Sequence, residues 1–422
     1  MKFLFNKIPF PLFFLLVIVA KIVGVLIIGF HYEQDTPRYL LNIRHLYNPP
    51  LYSLILRIFT KIYQNIHFVI LMQALSFSFL ITISSFRGKQ NYLFWAIFWA
   101  LEPISTFYCS NLMSEWLFIA ILFACFNEWI SLNQTFHYKN LFYFVSCSFL
   151  LYMTRYVGLT FFIFYLFYEG LDSILWKNRG FIKNSILAII IFFTLSIPIR
   201  WINYFTFNTF SINAYDGLNW WNSASVLYPN SNVQKNPTSD FEKFLKLFPD
   251  SIFSTHNALM TNHMWMDSLP AILYAEKNQL SPSEMNTILK KTAFRLIYEE
   301  PVCKYFEKFI IPNFFKPFNL KIETIGISIT YHYIENFFGP HQLPNFDYHY
   351  QMVILLFVLI LIVFFLQPLH FLNGFLIFYY LSILMTSAIF MRYLYVILPF
   401  AMYSLLKVIF FKKLSDNSYK FI

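Results

Sequence analysis

The feature that most constrains this chain is a series of long apolar segments separated by short basic loops. A helix rises about 1.5 Å per residue, so a hydrocarbon core of about 30 Å takes about 20 apolar residues. Ten segments approach this length, and the sequence therefore predicts an all-α polytopic membrane protein with about ten transmembrane helices. The predicted spans cover residues 10–30, 66–86, 92–109, 112–130, 141–154, 156–172, 184–203, 350–367, 370–390 and 393–411.

The composition excludes several other classes of protein. Hydrophobic residues make up 58% of the chain and charged residues only 12%, whereas soluble proteins carry about 25% charge. A soluble enzyme and a disordered chain are therefore excluded, and four cysteines are too few for a disulfide framework. The formal net charge is +10. In a membrane protein such an excess lies mainly on the cytoplasmic rim, so we do not expect nucleic acid as a partner.

The basic residues also predict the orientation. With ten spans, every basic cluster falls on one side, which the positive-inside rule makes cytoplasmic, together with both termini. We interpret residues 141–172 as two short spans with Arg155 at the outer turn. One long helix would put Lys139 and Lys177 on opposite faces. The first segment is a true span rather than a signal peptide, because it is long, contains Lys21 and precedes no small-residue cleavage site.

This topology leaves residues 31–65 and 204–349 outside. It predicts an N-terminal transmembrane module of about seven spans (1–203) that includes a catalytic first outer loop (31–65). A helical extracytoplasmic domain (204–349) and a C-terminal module of about three spans (350–422) follow. Within 204–349, Ser281 and Glu284 predict a capping box at the start of a helix, and a second helix is predicted from Pro301. We expect these basic, aromatic helices to lie on the membrane surface.

Ionisable residues gather at the predicted outer face. Glu33 and Asp35 stand two apart just outside the first span, so an extended backbone projects both carboxylates to the same side. Such a pair can act as a general base or hold a divalent cation; a solvated loop neutralised by Arg38 is the alternative. Ionisable groups at membrane level are costly and tend to be functional, although each alone also fits an interfacial anchor. The further members are Glu115, Arg155 and Arg392.

The order of these motifs resembles the GT-C superfamily of polytopic glycosyltransferases, in particular its mannosyltransferase and aminoarabinose-transferase-like branch. Short motifs along most of the chain carry the resemblance. They are the acidic Glu33-x-Asp35, the Pro49-Pro50-Leu51-Tyr52 helix start, Ser114-Glu115, Arg155 and Arg392-Tyr393. One departure is Glu300, which stands before Pro301 where the family's surface helix usually has Asn.

The resemblance implies inverting transfer of a sugar from a polyprenyl-phosphate-linked donor to a lipid, glycan or protein acceptor of the cell envelope. It makes Asp35 the catalytic base, with Glu33 beside it. It also implies that Arg155 and Arg392 stabilise the lipid phosphate as it leaves. Arg38 orients the base, and Glu33 and Glu115 bind sugar hydroxyls or a metal. The branches of the superfamily differ in needing a metal; a divalent cation, where one is needed, would bind at Glu33 and Asp35.

Two other classes of function stay open. A transporter or lipid flippase for an envelope glycolipid would show inverted repeats and polar residues near the middle of the membrane, and neither is clear here. A non-catalytic lipid-binding subunit would not need its carboxylates. The heavy use of Phe, Ile, Lys, Asn and Tyr is typical of an AT-rich genome and favours a bacterial inner membrane. Trp220, Trp221 and Trp265 fit either stacking on sugar rings or an interfacial aromatic belt.

Overall fold

The computed structural model describes residues 6–29, 50–134, 136–176, 180–207, 210, 216–253, 269–311, 358–359, 362, 371–386 and 396–415. Within them all regular structure is helical, apart from an isolated bridge between Lys7 and Tyr92. The helices up to residue 207 are α1 (Phe10–Ile28), α2 (Pro50–Ile62), α3 (Ile66–Arg87), α4 (Leu93–Leu101), α5 (Pro103–Ser110), α6 (Glu115–Gln134), α7 (Tyr138–Thr154), α8 (Leu159–Trp176) and α9 (Gly180–Phe207).

The later helices form a unit with its own core, which we call the outer unit after its predicted side of the membrane, and part of the bundle. In the outer unit they are α10 (Asp216–Ala224), α11 (Asn232–Lys235), α12 (Asp240–Leu245), α13 (Leu269–Lys277), α14 (Pro282–Glu299) and α15 (Val302–Tyr305), which continues as a π-helical turn, Phe306–Ile310. In the bundle they are α16 (Phe371–Thr386) and α17 (Leu398–Ser415).

Four helical segments are long and apolar enough to cross a membrane: Phe10–Ile28, Ile66–Arg87, Glu115–Gln134 and Lys183–Thr206. Each coincides with a predicted span. Shorter apolar stretches occupy α8 and α16, at Tyr156–Leu171 and Phe371–Ser382. The all-α membrane-protein class is confirmed to this extent, and the total of ten spans stays a prediction. The predicted span 350–367 lies almost entirely outside the described residues.

Helix α6 is the centre of the bundle. Its residues 115–123 are all buried, which is unusual for a helix that also meets the length and hydropathy of a membrane span. Aromatic side chains join it to the C-terminal helices: the rings of Trp129 and Phe371 stack with centroids 4.1 Å apart, and Phe126 lies 5.5 Å from Phe400. These contacts close the bundle around α6, because stacked and edge-on rings bury large apolar area.

Basic residues gather at one end of the bundle. At this end Arg87, the last residue of α3, pairs with Glu128, and its guanidinium lies 4.6 Å from the centroid of the Tyr143 ring. Lys139 lies 5.8 Å from the same centroid. The backbone N–H of Ile8 donates to the carbonyl oxygen of Asn91 at 2.9 Å, which brings the start of α1 to this end. Three of the basic regions predicted to share one face, those at Lys7, Arg87 and Lys139, therefore share one end of the described bundle.

The chain turns back at Arg155, as predicted. α7 and α8 are two helices joined by a 3₁₀ turn, Tyr156–Gly158, and the rings of Phe144 and Tyr165 meet with centroids 4.5 Å apart. The turn is close-packed. A Cβ atom on Gly158 would lie 2.5 Å from the carbonyl oxygen of Leu151, so only glycine fits there.

One predicted span is wrong in its continuity. Residues 92–109 were expected to form one helix, but the helix is interrupted between α4 and α5, at Glu102-Pro103. Pro103 has no N–H to continue the hydrogen-bond ladder. The Glu102 carboxylate accepts instead from the backbone N–H groups of Ile104 (2.7 Å) and Ser105 (2.9 Å), and so caps a new helix.

The outer unit has a hydrophobic core of its own, which includes Trp221, Tyr228, Phe241, Phe253, Met285, Leu289 and Leu296. The capping box of α14 is confirmed: the Glu284 N–H donates to Ser281 Oγ (3.3 Å) and the Ser281 N–H to Glu284 Oε2 (2.8 Å). The helix predicted from Pro301 is also present. The unit contacts the bundle through α10 and the π-helical turn, both of which touch α16.

Candidate functional site

Two of the predicted site residues, Glu115 and Arg155, lie within the described part of the chain, and the structure brings them together. The Arg155 guanidinium forms an ion pair with the Glu115 carboxylate through Nη1 and Oε1. The other predicted site residues lie outside the described residues: Glu33, Asp35, Arg38 and Arg392. The sequence predicted Glu115 and Arg155 at one face, and the structure adds the direct contact.

Each member of the pair lies at a helix end that suits its charge. Glu115 is the first residue of α6, and Arg155 is the C-cap of α7, where its N–H donates to the Leu151 carbonyl oxygen at 3.1 Å. A helix N-terminus carries partial positive charge and a C-terminus partial negative charge. The carboxylate and the guanidinium are therefore each stabilised by the helix that presents them, and also by each other.

The pair is removed from solvent: the side chain of Glu115 is 1% exposed and that of Arg155 9%. A buried ion pair gains little net stability, because desolvation of both charges offsets their attraction. Packing alone would favour apolar side chains at these positions. A buried pair at this end of the bundle is therefore better explained by a use for the charges than by a need for stability.

Polar side chains beside the pair form a hydrogen-bonded cluster centred on Gln73 of α3. The hydroxyl of Tyr52 (2.7 Å) and Nε1 of Trp116 (2.9 Å) both donate to Gln73 Oε1. Gln73 Nε2 donates to the carbonyl oxygens of Cys109 (3.1 Å) and Asn111 (3.0 Å). We call Tyr52, Gln73, Asn111, Trp116, Glu115 and Arg155 the outer cluster.

The outer cluster contains a buried acceptor. Asn111 is fully buried and donates through Nδ2 to the Phe107 carbonyl oxygen, but its Oδ1 has no hydrogen-bond partner among the described residues. A buried acceptor without a donor is costly. Together with the Glu115 carboxylate in the same turn region, it offers acceptors of the kind that hydroxyl groups of a ligand require.

Sequence reasoning missed a second polar site, at Lys21 in α1. Lys21 is fully buried, and its ammonium donates to the Glu102 carbonyl oxygen (2.7 Å), Ser105 Oγ (2.8 Å) and Thr106 Oγ1 (2.8 Å). It therefore occupies the interruption between α4 and α5. The signals were a lysine within an apolar run and a Glu-Pro pair, but 81 residues separate Lys21 from Glu102, so their contact could not be predicted.

In the outer unit, two expectations change. Trp221 is fully buried in the core of the unit, so it cannot stack on a sugar, and Trp220 packs against Phe294 with ring centroids 5.2 Å apart.

Glu300 is a structural residue: it accepts from the Asn232 N–H (2.8 Å) and from Lys304 Nζ (2.6 Å). Burial would raise the pKa of Glu300, but these hydrogen bonds outweigh it and hold the pKa below its usual value.

Within the described residues no group of three or more His, Cys, Asp or Glu side chains is arranged to hold a metal ion. The candidate cation ligands Glu33 and Asp35 lie outside that part of the chain. Comparison with known protein families, with curated proteins and with solved structures gives no match to this chain. Its functional class therefore rests on its own residues and their geometry.

Proposed function

We propose that this protein is an integral-membrane glycosyltransferase of the GT-C type. It moves a sugar from a polyprenyl-phosphate-linked donor to a lipid, glycan or protein acceptor, with inversion, at the outer face of a bacterial inner membrane. The observation that carries the proposal is the buried Glu115–Arg155 pair, which lies at the end of the bundle opposite to the basic loops. A buried cation at that end of the bundle can bind the phosphate of a lipid-linked donor.

In the proposed reaction, Asp35 takes a proton from the acceptor while the acceptor oxygen or nitrogen attacks the anomeric carbon. The bond from that carbon to the phosphate oxygen breaks, and the lipid phosphate leaves as an anion. Arg155 and Arg392 stabilise this developing charge, because a guanidinium grips phosphate with two parallel hydrogen bonds.

The remaining site residues have supporting roles in this proposal. Glu115 and Asn111 accept hydrogen bonds from sugar hydroxyls, and Arg38 orients the base. Glu33 shares the site of Asp35 and would hold a divalent cation with it, if the reaction uses one.

The topology belongs to the same proposal: ten spans, both termini in the cytoplasm, and residues 204–349 outside. Two observations support it. The basic regions at Arg87 and Lys139 share one end of the bundle, as the positive-inside rule requires. The outer unit has its own core and contacts α16, as expected for a compact domain resting on a transmembrane module.

A transporter or flippase is the second candidate, and one feature favours it. The interruption between α4 and α5, with buried Lys21, is the kind of broken helix that forms substrate sites in transporters. Here the ammonium already donates to three protein oxygens, and both Glu102 carboxylate oxygens accept from α5. Transport of a labelled lipid-linked sugar across proteoliposomes, without transfer to an acceptor, would favour this candidate over the transferase.

The deciding experiment assays purified protein with a labelled sugar on a polyprenyl phosphate. Asp35→Asn keeps the shape but removes the proton acceptor, so we expect transfer to fall by about 10²–10⁴-fold, the usual contribution of a general base. Glu276→Gln, an exposed carboxylate on α13, is the matched control. Normal turnover by Asp35→Asn with an inactive Glu33→Gln would reverse the two roles. Normal turnover by both variants would reject the acidic pair as the base, whereas the absence of transfer by the wild-type protein would reject the transferase.

A further inference from the structure

Gln73 is a buried amide whose hydrogen-bonding capacity is fully used. A carboxamide offers two donor protons and two acceptor lone pairs. In Gln73 these four positions are occupied by Tyr52, Trp116, Cys109 and Asn111, and the side chain is 0% exposed. An amide within an apolar helix is costly unless it is satisfied. Here groups from outside α3 satisfy it, so Gln73 specifies how these segments meet.

Each half of the amide holds a different part of the outer cluster. Nε2 donates to the carbonyl oxygens of Cys109, in the last turn of α5, and of Asn111, the C-cap, which also accepts from the Met113 N–H at 2.9 Å. This fixes the turn that leads into Glu115. Oε1 accepts from Trp116, the residue after Glu115, and from Tyr52, which lies near the start of α2. Helix α2 and the start of α6 are therefore aligned on a single oxygen atom.

The packing around this oxygen supports its role as a link. Tyr52 is fully buried, and its ring lies edge-on to that of Trp116 with centroids 6.3 Å apart. The opposite face of α2 is exposed, including Leu54, Arg57 and Ile58. The bond from Tyr52 is thus a buried polar contact that ties α2 to α3 and helps to set the rotation and height of α2 against the bundle.

We infer that Gln73 is the positioning residue that holds α2 in register with the Glu115–Arg155 pair. This inference rests on the proposed function, because α2 lies in the first outer loop (31–65), after its acidic motif in sequence. Through Gln73, the start of α2 and the start of α6, where the pair that receives the phosphate begins, are held on one side chain. Placement errors of about 1 Å can cost about 10²-fold in rate, so such a link has a measurable effect.

The two donors to Oε1 can be removed separately. Tyr52→Phe deletes the bond to α2, and we expect kcat to fall about tenfold while the donor KM stays within about twofold. Trp116→Phe deletes the bond beside Glu115, and we expect the donor KM to rise about tenfold with kcat nearly unchanged. Tyr63→Phe and Trp201→Phe are matched controls at exposed positions. Equal changes in kcat and KM in both test variants would show general loss of structure and overturn the inference.

Amide hydrogen exchange of the full-length protein tests the link without any assay of transfer. In Tyr52→Phe and Gln73→Leu we expect residues 51–62 to exchange at least about tenfold faster, with α14 unchanged as an internal control for folding. Unchanged exchange in α2 with native α14 would overturn the inference. If α2 responds but the wild-type protein transfers no sugar, the link is supported while the proposed function, and the role of Gln73 in it, fails.

Discussion

At the scale of single residues, four buried charges of the described bundle lie where helix ends can stabilise them. Glu115 begins α6 and Arg155 ends α7, and the two side chains also pair with each other. At the interruption of the third span, the Glu102 carboxylate caps the N-terminus of α5 while the Lys21 ammonium lies at the C-terminus of α4. Both sites follow the sign of the helix dipole. This is how the bundle tolerates these four buried charges, whereas the fifth, Glu128, is balanced by Arg87.

The residue types of the outer cluster could be predicted in part. The hydropathy pattern alone gives the number of spans between two loops, and that number places Glu115 and Arg155 at the same face. The pairing of Glu115 with Arg155, and the four bonds of Gln73, could not be predicted. They join residues 21 to 43 positions apart, and such contacts depend on how helices rotate and pack against one another.

Arg155→Ala is expected to have two effects. Removal of the guanidinium leaves the Glu115 carboxylate buried without its partner, which should lower the free energy of unfolding by about 3–5 kcal/mol. Under the proposed function it should also raise the donor KM strongly. Arg155→Lys should restore stability more than donor affinity, because an ammonium lacks the fork geometry. Donor titrations and unfolding in detergent measure both effects, with the exposed Arg57→Ala as control. An unchanged donor KM would make Arg155 an interfacial anchor.

Lys21→Met tests the site at the broken span. Methionine fills a similar volume, but three buried oxygens then lose the ammonium donor, so that the Glu102 carbonyl keeps only the Thr106 hydroxyl (3.0 Å), and Glu102 loses the positive charge nearby. We expect the free energy of unfolding to fall by about 3 kcal/mol or more. Thermal unfolding in detergent checks this, with Lys61→Met on the exposed face of α2 as the matched control. Equal stabilities of the two variants would contradict the assigned role of Lys21.

At the scale of elements, local signals were sufficient where a helix is defined by its own sequence. The helix from Pro282 was predicted from its capping box and one-sided apolar spacing, and α14 begins there. The third span was predicted as continuous, because its hydropathy is uninterrupted around Pro103 in a sliding window. The break depends on the Glu102 cap and on Lys21 from α1, and only Pro103 gave a local sign of it.

The bond between Glu300 and the start of α11 predicts a pH dependence of the outer unit. The pKa of Glu300 is held below its usual value by Lys304 and the Asn232 N–H, against the effect of burial. A lowered pKa means that the carboxylate stabilises the fold above its unfolded pKa of about 4.3. This stabilisation is lost as the pH falls through the folded value.

We therefore expect residues 231–236 to lose protection from amide exchange as the pH drops below about 4, after correction for the intrinsic exchange rate. In Glu300→Gln the protection should be lower at neutral pH and the acid-dependent loss should disappear. Glu276→Gln serves as the control, because its side chain is exposed on α13. An identical pH profile in wild type and Glu300→Gln would refute the assignment.

At the scale of the whole molecule, two hydrophobic cores divide the described chain. One fills the bundle and includes α16 and α17, and the other fills the outer unit. Hydropathy predicted the first, since long apolar runs need no tertiary information to be recognised. It did not predict the second in detail, because α10 to α13 are short helices whose stability comes from packing together rather than from their own periodicity.

The predicted topology can be tested with a cysteine that the chain already carries. Cys303 in α15 is exposed, whereas Cys109 and Cys125 are buried in the bundle and Cys147 is partly buried. If residues 204–349 lie outside, a membrane-impermeant maleimide should label the wild-type protein in cells whose inner membrane is intact and whose outer barrier has been opened. Cys303→Ser should abolish the labelling.

The reverse reporter is Lys139→Cys in the Cys303→Ser background, since Lys139 lies at the basic end of the bundle. It should react only after the inner membrane is permeabilised, because the positive-inside rule places that end in the cytoplasm. Labelling of Cys303 only in permeabilised cells would invert the orientation. The Glu115–Arg155 pair would then face the cytoplasm, where a donor presented on the outer leaflet cannot reach it, and the transferase proposal would fail with the topology.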